Sequence, residues 1–165
     1  MELVEVYVRG IAVDSEREHP VVLLKSRQSP DDDSVLPIWI GPAEATAIYT
    51  VLTGKSFERP MTHDLMGIIL DVLGAEMSRI EVTGIHKDTY FARIVLKQGK
   101  DEFYIDARPS DSIALALRAE APIFVDSELF GKYKRNIHIG KDGEENDVRK
   151  RLEELDPGSF GDLDI

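Results

Sequence analysis

Asp106-Ala107-Arg108-Pro109-Ser110-Asp111-Ser112-Ile113-Ala114-Leu115 is the stretch from which the fold is read. The residues before it, Glu102 to Ala107, form a strand-like run. Pro109 suits the first turn of a helix because it has no N–H to leave unpaired. A carboxylate two positions later lies beside the free backbone N–H groups and the positive end of the helix dipole. An earlier segment, Pro42-Ala43-Glu44-Ala45-Thr46-Ala47-Ile48, repeats the same order of proline, small residue, carboxylate, small residue and apolar stripe, and is fed by Val35 to Gly41. Two strand-to-helix corners are therefore expected, each with its helix starting within two residues of the proline and with Glu44 or Asp111 in the first turn. The feeder strands are expected to share one sheet. Only the second feeder brings charge to its corner.

Working outward, Leu3 to Val13, Val21 to Lys25 and Val35 to Ile40 read as an antiparallel meander. The helix from Pro42 to Leu52 ends at Gly54, and Thr62 is expected to cap a second helix with the stripe Leu65, Ile69 and Leu73, closing at Gly74. These two helices are expected to cover a sheet face. Met77 to Gly84, Tyr90 to Lys97 and Glu102 to Ala107 form a second strand run, broken by separators of hairpin length. A helix over Ser110 to Glu120 and a short strand, Ile123 to Val125, follow. A last helix is read over Glu144 to Leu155, with Val148, Leu152 and Leu155 on one face. Strands in runs and helices in pairs indicate an α+β fold with a largely antiparallel or mixed sheet covered by helices, and the paired corners suggest an internal duplication. The domain is placed at residues 1–130, with residues 131–165 as a C-terminal extension carrying one amphipathic helix and a frayed acidic tail.

With 165 residues the chain can bury a substantial core. It has no cysteine and no apolar run long enough to span a bilayer, so a cytoplasmic protein without membrane contact is expected. A 31% share of charged residues with few Asn and Gln fits a thermophilic source. The formal net charge of −11 works against high affinity for nucleic acid, because phosphate binding draws on Lys and Arg that release counterions.

The densest chemistry lies at Asp106, Arg108 and Asp111. Asp106 and Arg108, two apart, are expected on one strand face, with Asp111 one turn on. Two carboxylates and a guanidinium there could hold a divalent cation and a phosphate oxygen. The plainer alternative is a salt bridge between Arg108 and Asp106, Ser110 as N-cap and Asp111 as a dipole complement. His63 and Asp64 start the second helix, where a histidine could serve as base or ligand; the alternative is a surface histidine with Asp64 supporting the cap. Residues adjacent on a helix point about 100° apart, so one of the two is expected to face any given site. Glu44 is the counterpart of Asp111 and either shares a cleft with it or only caps its own helix. Trp39 is placed half exposed at a rim or interface, with core packing as the alternative. His19, His86 and His138 have no second ligand at metal spacing. The chain contains no Gly-rich phosphate loop, paired zinc motif or nucleophile elbow.

Four stretches together resemble the bifunctional nuclease domain family: Leu36-Pro37-Ile38-Trp39-Ile40-Gly41-Pro42 with Glu44-Ala45, Arg59-Pro60 with Thr62-His63-Asp64-Leu65, Asp106 to Arg118, and Ala121-Pro122-Ile123. They occur in the family's order and span roughly residues 1 to 130. The resemblance implies an activity on both DNA and RNA. The expected site is then Asp106, Asp111 and Glu44 holding Mg²⁺ or Mn²⁺, Arg108 neutralising charge on phosphate, and His63, with Asp64 beside it, as base or leaving-group acid. The rival expectation is a non-enzymatic oligomeric binding module whose acidic corners are structural caps. Either way a homodimer or larger assembly is expected, joined through the C-terminal helix or a sheet face.

Overall fold

The computed structural model describes residues 2–14, 19–29 and 31–136. The expected helix over 144–155, His138 and most of the C-terminal extension lie outside the described residues. Eight strands and four helices run in the order β1 (Leu3–Asp14), β2 (His19–Ser26), β3 (Ser34–Trp39), α1 (Pro42–Leu52), α2 (Thr62–Val72), β4 (Glu76–His86), β5 (Thr89–Gln98), β6 (Asp101–Ala107), α3 (Pro109–Arg118), β7 (Ile123–Asp126), α4 (Ser127–Tyr133) and β8 (Arg135–Asn136). The strands form one sheet in the order β6-β5-β4-β7-β1-β2-β3-β8. Every neighbouring pair is antiparallel except β4 with β7. The fold is α+β with a mixed sheet, and α4 and β8 carry it past residue 130 to Asn136.

Strand alternation sets two faces. Ile80, Val82, Ile94, Ile123 and Val125 point to the helices and join Ile48, Ile113 and Leu115 in the main core. On the opposite face Val21, Leu23 and Val35 form a second, smaller cluster. Also on that face, Glu81 is 1% exposed and is gripped by Arg79 Nε at 2.7 Å and Arg93 Nη2 at 2.6 Å. A buried carboxylate is tolerable there because both oxygens accept charge-assisted bonds. At the β4–β5 hairpin, Lys87 and Asp88 both have positive φ (46° and 62°), the conformation of a two-residue turn matched to strand twist.

Both corners form as the sequence dictates. α1 and α3 start at Pro42 and Pro109, with Glu44 and Asp111 in their first turns, and β3 and β6 belong to the same sheet. The cap of α3 is Arg108 rather than Ser110. Gly54 and Gly74 close α1 and α2 at φ 66° and 67°, the left-handed conformation that glycine reaches without strain.

Helix α2 departs from expectation in two ways. Its cap is Met61 rather than Thr62, and the Met61 N–H donates to Asp64 Oδ2 at 2.8 Å, the return half of a capping box. More consequentially, its apolar stripe faces away from the core: Leu65, Ile69 and Leu73 are exposed, and no α2 residue is buried. The inward side is His63, Asp64, Gly67 and Leu70, all half-buried. α2 rests on α3 instead of covering the sheet, because an ion pair between Asp64 and Arg118 fixes its rotation.

Candidate functional site

Helices α1, α2 and α3 and the end of β6 enclose an open cleft of about 900 Å³. Its apolar lining includes Phe57, Met61, Met66, Ile94 and Ile105, and its polar lining includes Glu44, His63, Arg108, Asp111 and Arg118. A mostly apolar cleft with a few convergent polar groups is the usual form of a binding site.

Arg108 is the hub of the polar group. As the N-cap of α3 its backbone is extended (φ −69°, ψ 144°), which turns the side chain away from the alternation of β6 and back over the helix start. Its Nε donates to Asp111 Oδ2 at 2.7 Å and its Nη1 to Glu44 Oε1 at 2.8 Å. One guanidinium thus joins the first turns of both corner helices. Its side chain stays 65% exposed, so the fork is accessible from the cleft. The opposite carboxylate oxygen, Asp111 Oδ1, is 3.2 Å from His63 Nε2. An ionised carboxylate only accepts, so this bond requires the proton on Nε2 and leaves Nδ1 as the basic nitrogen of a neutral ring. The His63 side chain is 12% exposed, held where Asp111 can orient it.

Burial pulls the Asp111 carboxyl up, but hydrogen bonds from Arg108 and His63 outweigh it and leave the group below the usual carboxylate range. Asp64 behaves likewise: burial raises it, and bonds from Arg118 and the Met61 N–H lower it further than burial lifts it. The Arg108 guanidinium is held above its usual value by the hydrogen bond to Asp111, with Glu44 adding to it. Asp64, Asp111 and Arg108 therefore stay charged throughout the neutral range.

Of the residues expected at the site, Glu44, His63, Arg108 and Asp111 meet. His63 and Asp64 divide as the helix angle requires: His63 faces the cleft and Asp64 turns to Arg118. Asp106 does not join them. It borders the cleft, but its cross-strand partner is Arg93, and alternation with Ile105 carries its side chain to the far face of the sheet. The shared face expected for Asp106 and Arg108 fails because β6 ends at Ala107. Neither a hydrogen bond nor an ion pair from Asp106 appears among the described residues, so the alternative salt bridge to Arg108 does not form either.

Arg118 had no assigned role in the sequence. Its Nε bonds Asp64 Oδ1, and its Nη1 donates to the carbonyls of Ala47 and Ala114, each at 2.9 Å, which ties α1, α2 and α3 together at the back of the cleft. The signal was present: Arg118 lies seven residues after Asp111, two turns along the same helix face.

The donor set can be compared with what a divalent cation needs. Among the described residues no three His, Asp or Glu side chains converge at metal spacing. Both carboxylates of the cluster are already turned to Arg108, whose guanidinium sits where a cation bridging them would sit, and Asp106 is on the other face. As arranged, the residues do not fit a resident metal ion. No helix among the described residues is long and apolar enough to cross a membrane.

Comparison with known proteins gives a consistent assignment. Residues 22–138 match the family model of the bifunctional nuclease domain. The chain is 34% identical over 165 residues to an uncharacterized protein of Mycobacterium tuberculosis, covering 96% of this chain and 97% of that protein. It is 28% identical over 127 residues to bifunctional nuclease 1 of Arabidopsis thaliana and 26% identical over 119 residues to bifunctional nuclease 1 of Oryza sativa subsp. japonica. These matches cover 74% and 70% of this chain but only 38% and 35% of the plant proteins. Taken with the order of its motifs and the corner geometry that they build, the chain belongs to the bifunctional nuclease domain family.

Proposed function

We propose that the cleft hydrolyses phosphodiester bonds of DNA and RNA, with Arg108 as the phosphate anchor and His63, oriented by Asp111, as the proton-transfer group. The observation that carries this reading is the convergence of Glu44, His63, Arg108 and Asp111 at one cleft from three separate helix starts. A phosphate oxygen entering the cleft meets an exposed guanidinium that can donate through its fork, and charge developing on the phosphorane is neutralised there. With Asp111 accepting from Nε2, the Nδ1 lone pair of His63 takes a proton from the attacking water. The same nitrogen, once protonated, returns a proton to the departing oxygen. Asp111 holds the tautomer and balances the imidazolium, and Arg118 with Asp64 fixes the helix that carries His63. The net charge of −11 fits weak, transient engagement of substrate rather than tight binding.

A second reading has its own support: every site carboxylate except Asp106 is already paired, which is also what a purely structural clamp between helices requires. The two separate in one assay. Protein purified to homogeneity is incubated with single-stranded DNA and with RNA, alongside His63→Ala and Asp111→Asn purified identically. Cleavage by the parent, reduced roughly 10²–10⁴-fold in His63→Ala, supports the nuclease. Cleavage that is undiminished in both variants clears the cluster, and no cleavage by the parent leaves the clamp. The Mg²⁺ or Mn²⁺ requirement expected from the sequence is tested by EDTA in the same reactions: loss of cleavage, restored by added Mg²⁺ or Mn²⁺, supports it, and unchanged cleavage overturns it.

A further inference from the structure

A phosphate bound at Arg108 would fill only one corner of the cleft. At about 900 Å³ the cavity lies near the upper end of the roughly 300–1,000 Å³ that suits a small organic ligand, and much of its wall is carbon. Phe57, half-buried on the loop between α1 and α2, is the one aromatic side chain in the lining among the described residues, with Met61, Met66, Ile94 and Ile105 completing the apolar wall. The loop is pinned by the Lys55 N–H, which donates to the Thr50 carbonyl at 2.9 Å, and Lys55 Nζ stands 5.7 Å from the centre of the Phe57 ring. In a chain of net charge −11, the aromatic part of the cleft and the Arg108 corner each carry a cation. The lining hydroxyls are mostly committed to the backbone: Thr46 Oγ1 donates to the Pro42 carbonyl at 3.0 Å and Thr50 Oγ1 to the Ala47 carbonyl at 3.1 Å. Only Thr62, exposed at the start of α2, makes no such bond among the described residues.

We propose, building on the nuclease reading of this cleft, that its apolar part is a shelf for one unpaired nucleobase, with Phe57 against the flat face of the base while the adjoining phosphate bonds Arg108. Phosphate alone would leave the apolar wall uncovered, and an apolar ligand would leave the exposed guanidinium unused. A nucleotide joins an anion to a flat apolar ring and satisfies both. The shelf holds a base without reading it. Stacking on an aromatic ring accepts any base because every base has a π-face, the thioethers of Met61 and Met66 adapt to differing shapes, and a lone threonine hydroxyl, able to donate or accept, discriminates little between base edges. The same shortage of uncommitted polar groups leaves nothing set aside for a 2′-hydroxyl, so one shelf serves DNA and RNA alike. Bases inside a duplex are stacked on both faces and must be pulled out before they can enter such a pocket, which restricts the shelf to single strands.

The test is binding of labelled eight-nucleotide strands to the full chain, read by fluorescence anisotropy in a His63→Ala background that slows cleavage. The probes are oligo-dT, oligo-dA, oligo-dC and oligo-U, a strand of abasic sites with the same number of phosphates, and a duplex of the same length. The four base-bearing strands should bind within about threefold of one another, and the abasic strand and the duplex at least about tenfold more weakly. Adding Phe57→Ala or Phe57→Leu should weaken the base-bearing strands roughly 5- to 100-fold and leave the abasic strand unchanged, while Phe57→Trp retains binding; circular dichroism melting checks that each variant is folded. Equal binding of the abasic strand, folded Phe57 variants that bind like their parent, a preference above about tenfold for one base, or no binding by any strand overturns the proposal. The shelf and the nuclease reading fail separately. Cleavage by the otherwise unaltered chain with a KM that Phe57→Ala does not move removes the shelf and keeps the nuclease, whereas the expected binding pattern without cleavage by the parent keeps the shelf and removes the nuclease.

Discussion

At the β3–α1 corner the residue before the proline is Gly41; at the β6–α3 corner it is Arg108. The backbones are close to identical, with φ/ψ of −76°/163° and −69°/144° at the two caps, proline opening each helix and an acid in each first turn. Their surroundings differ. β3 is buried along nearly its whole length, and β6 is exposed. Glycine leaves the space beside it open, and the Glu44 carboxylate folds into it: a Cβ on Gly41 would lie 2.2 Å from Glu44 Oε2. Arginine does the opposite and sends a cation out. The bare corner supplies an acid, the charged corner supplies the guanidinium that collects it, and a site arises where neither corner alone would make one. The repeated sequence pattern encodes helix starts; the residue outside the pattern encodes chemistry.

The severest way to break this comparison is to make the corners alike. Arg108→Gly should preserve α3, because glycine is well tolerated at an N-cap, while cleavage falls by roughly 10²–10³-fold from loss of the charge-stabilising donor. Undiminished cleavage with intact α3 would mean that the arginine only links the helices. Next in size is Arg118→Ala, which removes the guanidinium from Asp64 and from the carbonyls of Ala47 and Ala114 and frees the rotation of α2. Urea unfolding should show a loss of about 1–3 kcal/mol, and a change under 0.5 kcal/mol would show that α2 is held by something else.

The smallest effect is in acid. Asp64 and Asp111 have folded-state values below their ordinary 3.8, so the unfolded chain takes up protons first as pH falls. Their stabilisation is complete above the unfolded value and is lost as pH drops through the folded ones. Melting temperature should decline below pH about 4, and the Asp64→Asn, Asp111→Asn double variant should show a flatter decline than the parent. Equal slopes would remove the two carboxylates from the acid response.

Much of this was legible in the chain. Both prolines marked helix starts because ring geometry and the missing N–H act within one turn, and seven of the eight strands among the described residues were read from apolar runs and their alternation, all but β8. The first-turn acids were visible for the same local reason, and all four clustered residues sit at the cap or in the first turn of a helix. What could not be read depends on orientation. The stripe of α2 said that the helix had an apolar face but not which way Arg118 would turn it. Asp106 and Arg108 looked paired because strand period was extended one residue past the end of β6. Helix α4 was missed although Asp126 accepts from the N–H groups of Glu128 and Leu129 at 3.0 and 3.1 Å, an N-cap that Asp-Ser-Glu advertises.

The place of β7 has a consequence for how the chain assembles. Two meanders, β1-β2-β3 and β4-β5-β6, each form from neighbouring sequence, but β1 and β4 do not touch in the sheet; the four residues Ile123–Asp126 stand between them and pair with both. During synthesis each meander can begin to form as soon as its own residues emerge. The sheet stays in two pieces until the chain has been made past Asp126, because its keystone is among the last strands to appear. Joining strands so distant in sequence carries the loop-closure cost that slows folding. Until that strand arrives, the edges of β1 and β4 remain open to wrong partners.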